Sequence, residues 1–471
     1  MNSFVMYGTA ILSIAIIGYM LVKKMDIKIT LFFIGVILMY IAIFAGNTIA
    51  IKDFKSSGAG LLDPLLAIVS TFKSTLAGAG FIILLLGGYA AYMSEIGANE
   101  ITVSVLSKPI KNIRSPYVLV PVVFLLGNLL SLVIPSASNL AIILLATLYP
   151  VLRKAGMSPL TAGAVIATTA TVMPTPLGSD NVAIANELAK YPEFAGLTVS
   201  QYVFGYHAIV SIPTLLIMAI AHYFWQKFEG RNEAIISANE VEKTEGSYCS
   251  NSVLYRSVYA LLPVLPIILL VIAYFIKLLG HSKVDLTVEI AVVISFIVAV
   301  LCDSIKRHSL KEAVKETEKF FKGMGNAMPI VALLVAATVY VVGLKSIGLI
   351  SALQNVMTGM NGNGLGFVLP LILVVLSAVI VLLSGSGTAL FFAMVPLIPT
   401  LASAAGISAI AVAVPMGLAG NLLRAVSPVS AVIIIVSGSI KADPIEVVKR
   451  TSIPMIAGVV FMFILSMILF L

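Results

Sequence analysis

Only 11% of this 471-residue chain is charged and 60% is hydrophobic, whereas an ordinary soluble domain carries about 25% charge. A mean hydropathy of +1.09 requires most of the length to be solvated by lipid or by other apolar helices, which excludes a water-soluble globular protein. The net charge of +8 lies in short segments beside apolar runs, where membrane topology explains it without nucleic-acid binding.

The first apolar run, residues 4–22, has no basic region before it and is followed by Lys23 and Lys24. Met20-Leu21-Val22 is a poor cleavage site, so the run reads as a span and not as a secretory signal. Further runs long enough to cross a bilayer lie at 29–51, 76–97, 202–225, 253–276, 284–302, 325–344 and 449–471. Residues 116–152 and 365–403 are each too long for one helix and carry a polar tip near the centre. Both predict re-entrant hairpins that enter and leave on one side. Residues 158–189 and 408–440 read as spans broken in the middle, and Gln226 to Asn251 reads as a hydrophilic linker.

The expected fold is therefore an all-α polytopic membrane protein with two repeats, residues 1–225 and 253–471, joined by a cytoplasmic linker at 226–252. Each repeat holds five crossings and one hairpin, with helices broken at the membrane midplane. An odd number of crossings inverts the second repeat relative to the first. Phe72-Lys73 recurs as Phe321-Lys322, Tyr89 as Tyr340, Ile96-Gly97 as Ile347-Gly348, and Ser136 matches Ser384. Just before the third span of each half, Leu65, Leu66, Val69 and Phe72 keep helical spacing, as do Leu310, Ala313, Val314, Phe320 and Phe321. These are either interfacial helices or amphipathic connectors.

Orientation follows from Lys and Arg. With the N-terminus outside, 21 of these residues fall on the cytoplasmic side and 7 on the outer side, while Arg424 lies within the membrane. This excess places both termini outside.

Four polar interruptions stand out. Ser136, Ala137, Ser138 and Asn139 cut one apolar run, and Pro174 to Asn181, including Thr175, Ser179 and Asp180, breaks the next. The second half repeats the order with Ser384, Gly385, Ser386, Gly387 and Thr388, then Gly420 to Pro428, including Asn421, Arg424 and Ser427. Unwound backbone at membrane depth survives only where it faces protein or a watery cavity, so paired breaks point to the binding site of a secondary transporter. Helix N-termini converging there favour an anion, and the hydroxyl and amide side chains suit a carboxylate or sodium. Small residues that merely permit close helix packing are the competing explanation.

Arg424 is the basic residue at midspan, and its planar guanidinium suits a two-point carboxylate clamp. Asp180 is the acid at comparable depth, since Glu95 and Glu187 lie nearer span ends. It is a candidate to carry a coupling proton, to help hold sodium, or to form a fixed ion pair with Arg424. His207 and His222 lie toward the ends of one span and read as packing or interfacial residues, beside the interfacial aromatics Tyr223, Phe224 and Trp225. Cys249 and Cys302 are too sparse for a disulfide framework. No catalytic triad, phosphate loop or metal spacing is present, so no enzyme, cofactor or resident metal is expected.

Several strings resemble the DcuC family of anaerobic C4-dicarboxylate carriers: GYAAYMSEIGAN from Gly88 to Asn99, SKPIKNIRSPY from Ser107 to Tyr117, Ser384 to Thr388, Asn421 to Ser430 and Val447 to Pro454. The resemblance runs over nearly the whole chain. It implies a multi-pass carrier of the bacterial inner membrane that exports succinate or exchanges and takes up fumarate, malate and related diacids. It also implies a wider group of carriers driven by H+ or Na+, with paired hairpins and broken helices around the substrate and a homodimeric assembly. A carrier of another carboxylate or an amino acid, and a sodium/proton antiporter, remain alternatives on the same scaffold.

Overall fold

The computed structural model describes residues 3–23, 25–51, 53–108, 110, 113, 115–134, 136–172, 174–230, 253–280, 286–349, 352 and 366–471. Among them the regular structure is entirely helical. Residues 231–252, which hold most of the expected linker and Cys249, lie outside the described residues.

In the first half the helices are α1 (Ser3–Val22), α2 (Ile27–Phe44), α3 (Asp63–Glu95), α4 (Ala98–Leu106), α5 (Pro116–Ser131), α6 (Ala137–Thr147), α7 (Pro159–Ala167), α8 (Ser179–Leu188) and α9 (Val199–Glu229). The second half holds α10 (Tyr255–Leu278), α11 (Val288–Arg307), α12 (Leu310–Ser346), α13 (Val368–Ser384), α14 (Gly387–Met394, continued by Ile398–Ala404), α15 (Ala409–Leu423), α16 (Ala431–Ile440) and α17 (Pro444–Phe470). Eight segments among the described residues are helical, long and apolar enough to cross a membrane. Ala409–Ile440 is one of them, whereas α7 and α8 are each too short to qualify.

Local chemistry sets the boundaries. Ser158 accepts from Thr161 N at 3.1 Å with Pro159 at the first helical position, and Asp443 accepts from Ile445 N at 2.7 Å ahead of Pro444. At the other end, α3 and α12 both stop at an isoleucine followed by a left-handed glycine, Gly97 at φ +74° and Gly348 at φ +88°.

α3 and α12 are longer than expected, 33 and 37 residues, because their amphipathic leaders run on into the spans. At 1.5 Å per residue such helices reach about 50–55 Å, well beyond the roughly 30 Å hydrocarbon core. Their leading turns expose Leu65, Val69, Leu310, Val314 and Phe321. In α3 the junction is a π-turn, Leu76–Gly80, with a non-helical Gly78.

α12 packs along both α2 and α3. A Cβ at Gly35 would sit 2.6 Å from Tyr340 N, so glycine lets the α2 and α12 backbones touch. α9 and α17 pack antiparallel along their lengths. Tyr89 on α3 donates to Leu262 O at 2.5 Å, ahead of most of α10, while Tyr340 on α12 bonds Ser13 of α1 at 3.2 Å. Each tyrosine thus reaches the first long helix of the other half.

Candidate functional site

Both broken helices unwind within the regions the sequence marks, with shifted limits. The first opens at Thr168, six residues before Pro174, and α8 begins at Ser179. The second holds its helix through Gly420, Asn421 and Leu423, turns through a 3-10 segment at Arg424–Val426, and restarts at Ala431. Asp180 and Asn181 are consequently first-turn residues of α8, and Asn421 lies in the last turn of α15.

The unexpected early opening is supported by Asn128 of α5, which is 2% exposed. Its Nδ2 donates to Thr168 O at 3.2 Å, and its Oδ1 accepts from Thr171 N and Val172 N, both at 3.2 Å. One amide thus serves three backbone groups that the unwinding frees, as buried peptide groups in a membrane demand. A single Asn in the apolar run 116–131 was the available signal.

Each break is tied to the hairpin arm of its own half by a hydroxyl. Thr175 Oγ1 donates to Leu132 O at 3.2 Å, and Ser427 Oγ donates to Leu382 O at 3.1 Å. Both side chains are fully buried. The second hairpin tip also presses on the second break. A Cβ at Gly387 would lie 2.0 Å from Gly420 O, and one at Gly385, whose φ is +73°, would lie 2.8 Å from Ser430 Cα.

The two breaks meet at three side chains. Asn421 Nδ2 donates to Asp180 Oδ2 at 2.9 Å, and Asp180 Oδ1 accepts from Asn181 N at 3.0 Å. Arg424 donates from Nη2 to Ala170 O at 2.5 Å, in the opposite break. Among the described residues no ion pair joins Asp180 to Arg424, so the fixed pair weighed from the sequence is not formed. Asp180, Asn181 and Asn421 are buried, while Arg424 is half-buried. Asn181 Nδ2 also closes the turn to Thr175 O at 3.0 Å.

The other candidates are more peripheral. Ser136 caps α6 by accepting from Asn139 N at 3.4 Å, and Ser136 and Asn139 are exposed, with Ser138 and Ser179 half-buried. Ser384 is exposed and folds back on Ile380 O at 2.7 Å, and Ser386 is half-buried. The Thr388 side chain, Pro135 and Met173 lie outside the described residues. What meets here is the first turn of α8 and the start of α14 against the last turn of α15, while the first tip stays apart. A cavity of about 150 Å³ lined by Ser70, Thr71, Ser74, Glu187, Thr338 and Lys345 lies toward the far end of α8 and includes none of the junction residues.

Of the two alternatives for the histidines, burial selects packing. His207 and His222 are 4% and 0% exposed, so neither is interfacial. His207 ends a π-turn, Val203–His207, within electrostatic reach of Asp180. π-turns inside α-helices are frequent at functional sites.

The family model for DcuC, C4-dicarboxylate anaerobic carrier, matches residues 7–471. The chain belongs to the DcuC family. A probable anaerobic C4-dicarboxylate transporter DcuC of Vibrio cholerae is 35% identical over 463 residues, covering 96% of this chain and 95% of the relative. The anaerobic C4-dicarboxylate transporter DcuC of Escherichia coli K12 is 32% identical, covering 92% and 90%. Among solved structures, the YdaH transporter of Alcanivorax borkumensis aligns with a TM-score of 0.70 at 14% identity over 94% of this chain and 97% of that one. MtrF of Neisseria gonorrhoeae, from a class of antimetabolite efflux pumps, gives 0.62 at 15% identity over 93% and 94%. These two likenesses speak to the fold. This DcuC-family member is a multi-pass membrane transport protein and not an enzyme.

Proposed function

We propose that the chain is a secondary carrier of C4-dicarboxylates such as succinate, fumarate and malate in a bacterial inner membrane, with the substrate held where the two helix breaks meet. The observation that carries this is the joining of the breaks through Asp180, Asn421 and Arg424, in a chain whose curated relatives are C4-dicarboxylate transporters. The bond to Ala170 engages one nitrogen of a guanidinium that carries five N–H donors, which leaves a fork for a carboxylate. Thr175, Ser427 and Asn128 spend their polar groups on the backbone, so their role is to hold the breaks open.

Charge arithmetic gives the coupling. A dianion beside Arg424 and the positive start of α8 also meets the Asp180 carboxylate, and like charges in a low-dielectric site repel strongly. Neutralising Asp180 with H+ or Na+ removes that repulsion, so ion and substrate bind together or are released together. The carrier therefore works by symport, efflux or exchange. A pure cation antiporter fits less well, because Arg424 repels its ions.

The shared order of a long helix with an amphipathic leader, a helical hairpin, a broken helix and a final long helix, together with the crossed contacts of Tyr89 and Tyr340, supports two inverted repeats. The Lys and Arg distribution supports both termini on the periplasmic side. Exposed apolar faces along α1, α2 and α11 fit lipid and a homodimer interface.

Labelled succinate uptake into proteoliposomes, with imposed proton or sodium gradients and unlabelled diacids as competitors, tests the reading. Saturable uptake and counterflow of a diacid are expected. A preference for monocarboxylates or amino acids, with no competition by succinate, fumarate or malate, would replace the substrate class.

A further inference from the structure

The buried polar groups that the site does not use are concentrated in one seam. His207, Ser211, Thr214, His222 and Gln226 recur at helical spacing on one stripe of α9, each at most 4% exposed. Within this stripe His207 Nδ1, Ser211 Oγ, both ring nitrogens of His222 and Gln226 Oε1 have no protein partner. Ser466 Oγ on α17 is likewise unpartnered and fully buried.

The register of α9 against α17 aligns these groups. Gln226 Nε2 donates to Arg450 O at 2.9 Å, the carbonyl that Pro454 leaves without its helical partner. A Cβ at Gly458 would fall 2.6 Å from Met218 Cγ and Sδ. Eight residues further along both helices the same antiparallel register sets Ser466 opposite Val210, next in the chain to Ser211. Polar atoms buried without partners in a membrane interior cost several kcal/mol each unless water serves them. The seam thus holds a row of hydrogen-bonding atoms that single waters would satisfy.

We propose that this seam is a proton pathway between Asp180 and the end of α9 at Glu229, with His222 and His207 as its relay groups. The inference rests on the carrier reading above and names its coupling ion as a proton. At His207 the titratable neighbours are Asp180 of α8 and Tyr202 of its own helix. α10 brings Tyr274 against Phe204, and α15 brings no charged side chain. At His222, α5 contributes the ring of Phe124 at 5.0 Å and no charge, while Arg450 and Glu229 lie at the exit, 3.9 Å apart.

His207 and His222 are fifteen residues apart, about 22 Å along a helix, so water must carry the proton between them. A water-bonded imidazole accepts a proton on one nitrogen and releases one from the other, ending in the opposite tautomer. Met218 against Gly458 divides the seam into two polar stretches, and its flexible thioether serves as the barrier between them.

The test uses the full-length protein in liposomes with an internal pH dye, reading labelled succinate exchange and succinate-driven proton uptake side by side. His207→Gln and His222→Gln are expected to keep exchange within about twofold and to lower the rate of succinate-driven net proton uptake, taken relative to the exchange rate, at least tenfold. Met218→Ala is expected to raise proton leak in the absence of succinate. Unchanged proton-to-exchange ratios in both histidine variants, or uptake driven by sodium with no proton movement, would overturn the pathway. Absence of any diacid exchange in the wild-type protein would instead defeat the carrier reading.

Imidazole 15N spectra of the unaltered protein in D2O read the seam independently of substrate and of variant folding. Ring N–H groups of His222 that exchange within minutes support a hydrated seam. Rings protected for many hours would show a dry one and end the proposal.

Discussion

Asn421 donates its side-chain amide to the carboxylate of Asp180 at 2.9 Å, bridging 241 residues of sequence to join the last turn of α15 to the first turn of α8. An amide donor bonds a carboxylate without supplying a countercharge, and the proposed coupling role assigns that countercharge to the driving ion. Asp180→Asn is expected to retain part of the succinate exchange and to lose the pH and sodium dependence of net uptake. Parallel assays of exchange and gradient-driven uptake in proteoliposomes check this. Unchanged ion dependence would remove Asp180 from the coupling.

Arg424 lends one nitrogen to Ala170 O, and the proposed clamp assigns its remaining donors to a substrate carboxylate. Arg424→Lys keeps the charge but loses the planar fork, and the KM for succinate should rise about tenfold, roughly 1.4 kcal/mol. Arg424→Ala should abolish uptake. Normal diacid affinity in folded Arg424→Ala, judged by size-exclusion elution, would place the carboxylate elsewhere.

The sequence displayed the site unevenly. Polar clusters at Pro174–Asn181 and Gly420–Pro428 were visible because an unwound membrane helix needs polar residues in plain sight. The early opening at Thr168 was hidden, because Thr168-Thr169-Ala170-Thr171 reads as ordinary span and its supporting amide is 40 residues away on α5. Gly420 and Asn421 looked like a break for the opposite reason. Small and polar residues also serve close helix contact, and a backbone approach to Gly387 explains Gly420 without unwinding. Depth was the hardest property to read. His207 and His222 read as packing or interfacial residues from their distance to the span ends, and α9, which runs on through Gln226–Glu229, buries both.

The hydroxyls of Thr175 and Ser427 hold equivalent positions, each donating to the carbonyl of a leucine near the end of a hairpin's first arm. Thr175→Val and Ser427→Ala should each cost about 1 kcal/mol, the usual worth of a buried hydrogen bond. The two bonds share no partner, so the double variant should be additive within about 0.5 kcal/mol. Melting temperatures in detergent check the prediction, and wild-type melting in both single variants would contradict it.

Gly387 sits against the backbone of Gly420, where a Cβ would be 2.0 Å from the carbonyl oxygen. Backbone cannot yield as a flexible side chain does, so Gly387→Ala should push the second hairpin tip off the break and cost more than the roughly 1–3 kcal/mol of ordinary overpacking. Uptake should fall at least tenfold. Gly438→Ala on α16 is the control, since nothing lies within 4 Å of its Cβ and alanine favours a helix. Wild-type uptake in Gly387→Ala would mean that the tip already moves freely away from the break.

The inverted arrangement predicts that the first hairpin tip is reached from the cytoplasm and the second from the outside. The labelling sites must tolerate a side chain, and Gly385 does not, because its φ is +73° and a Cβ there would meet Ser430. Asn139 and Ser384 are exposed and close to the two tips. Asn139→Cys and Ser384→Cys, in a background with Cys249→Ser and Cys302→Ser, can be labelled with an impermeant thiol reagent in vesicles of each orientation. Asn139→Cys is expected to react at the cytoplasmic face and Ser384→Cys at the outer face. Saturating succinate should slow labelling at both, because filling the junction of the breaks holds each tip against it. Reaction of both cysteines from one face, with and without succinate, would mean that the two hairpins open on the same side and that the repeats are parallel.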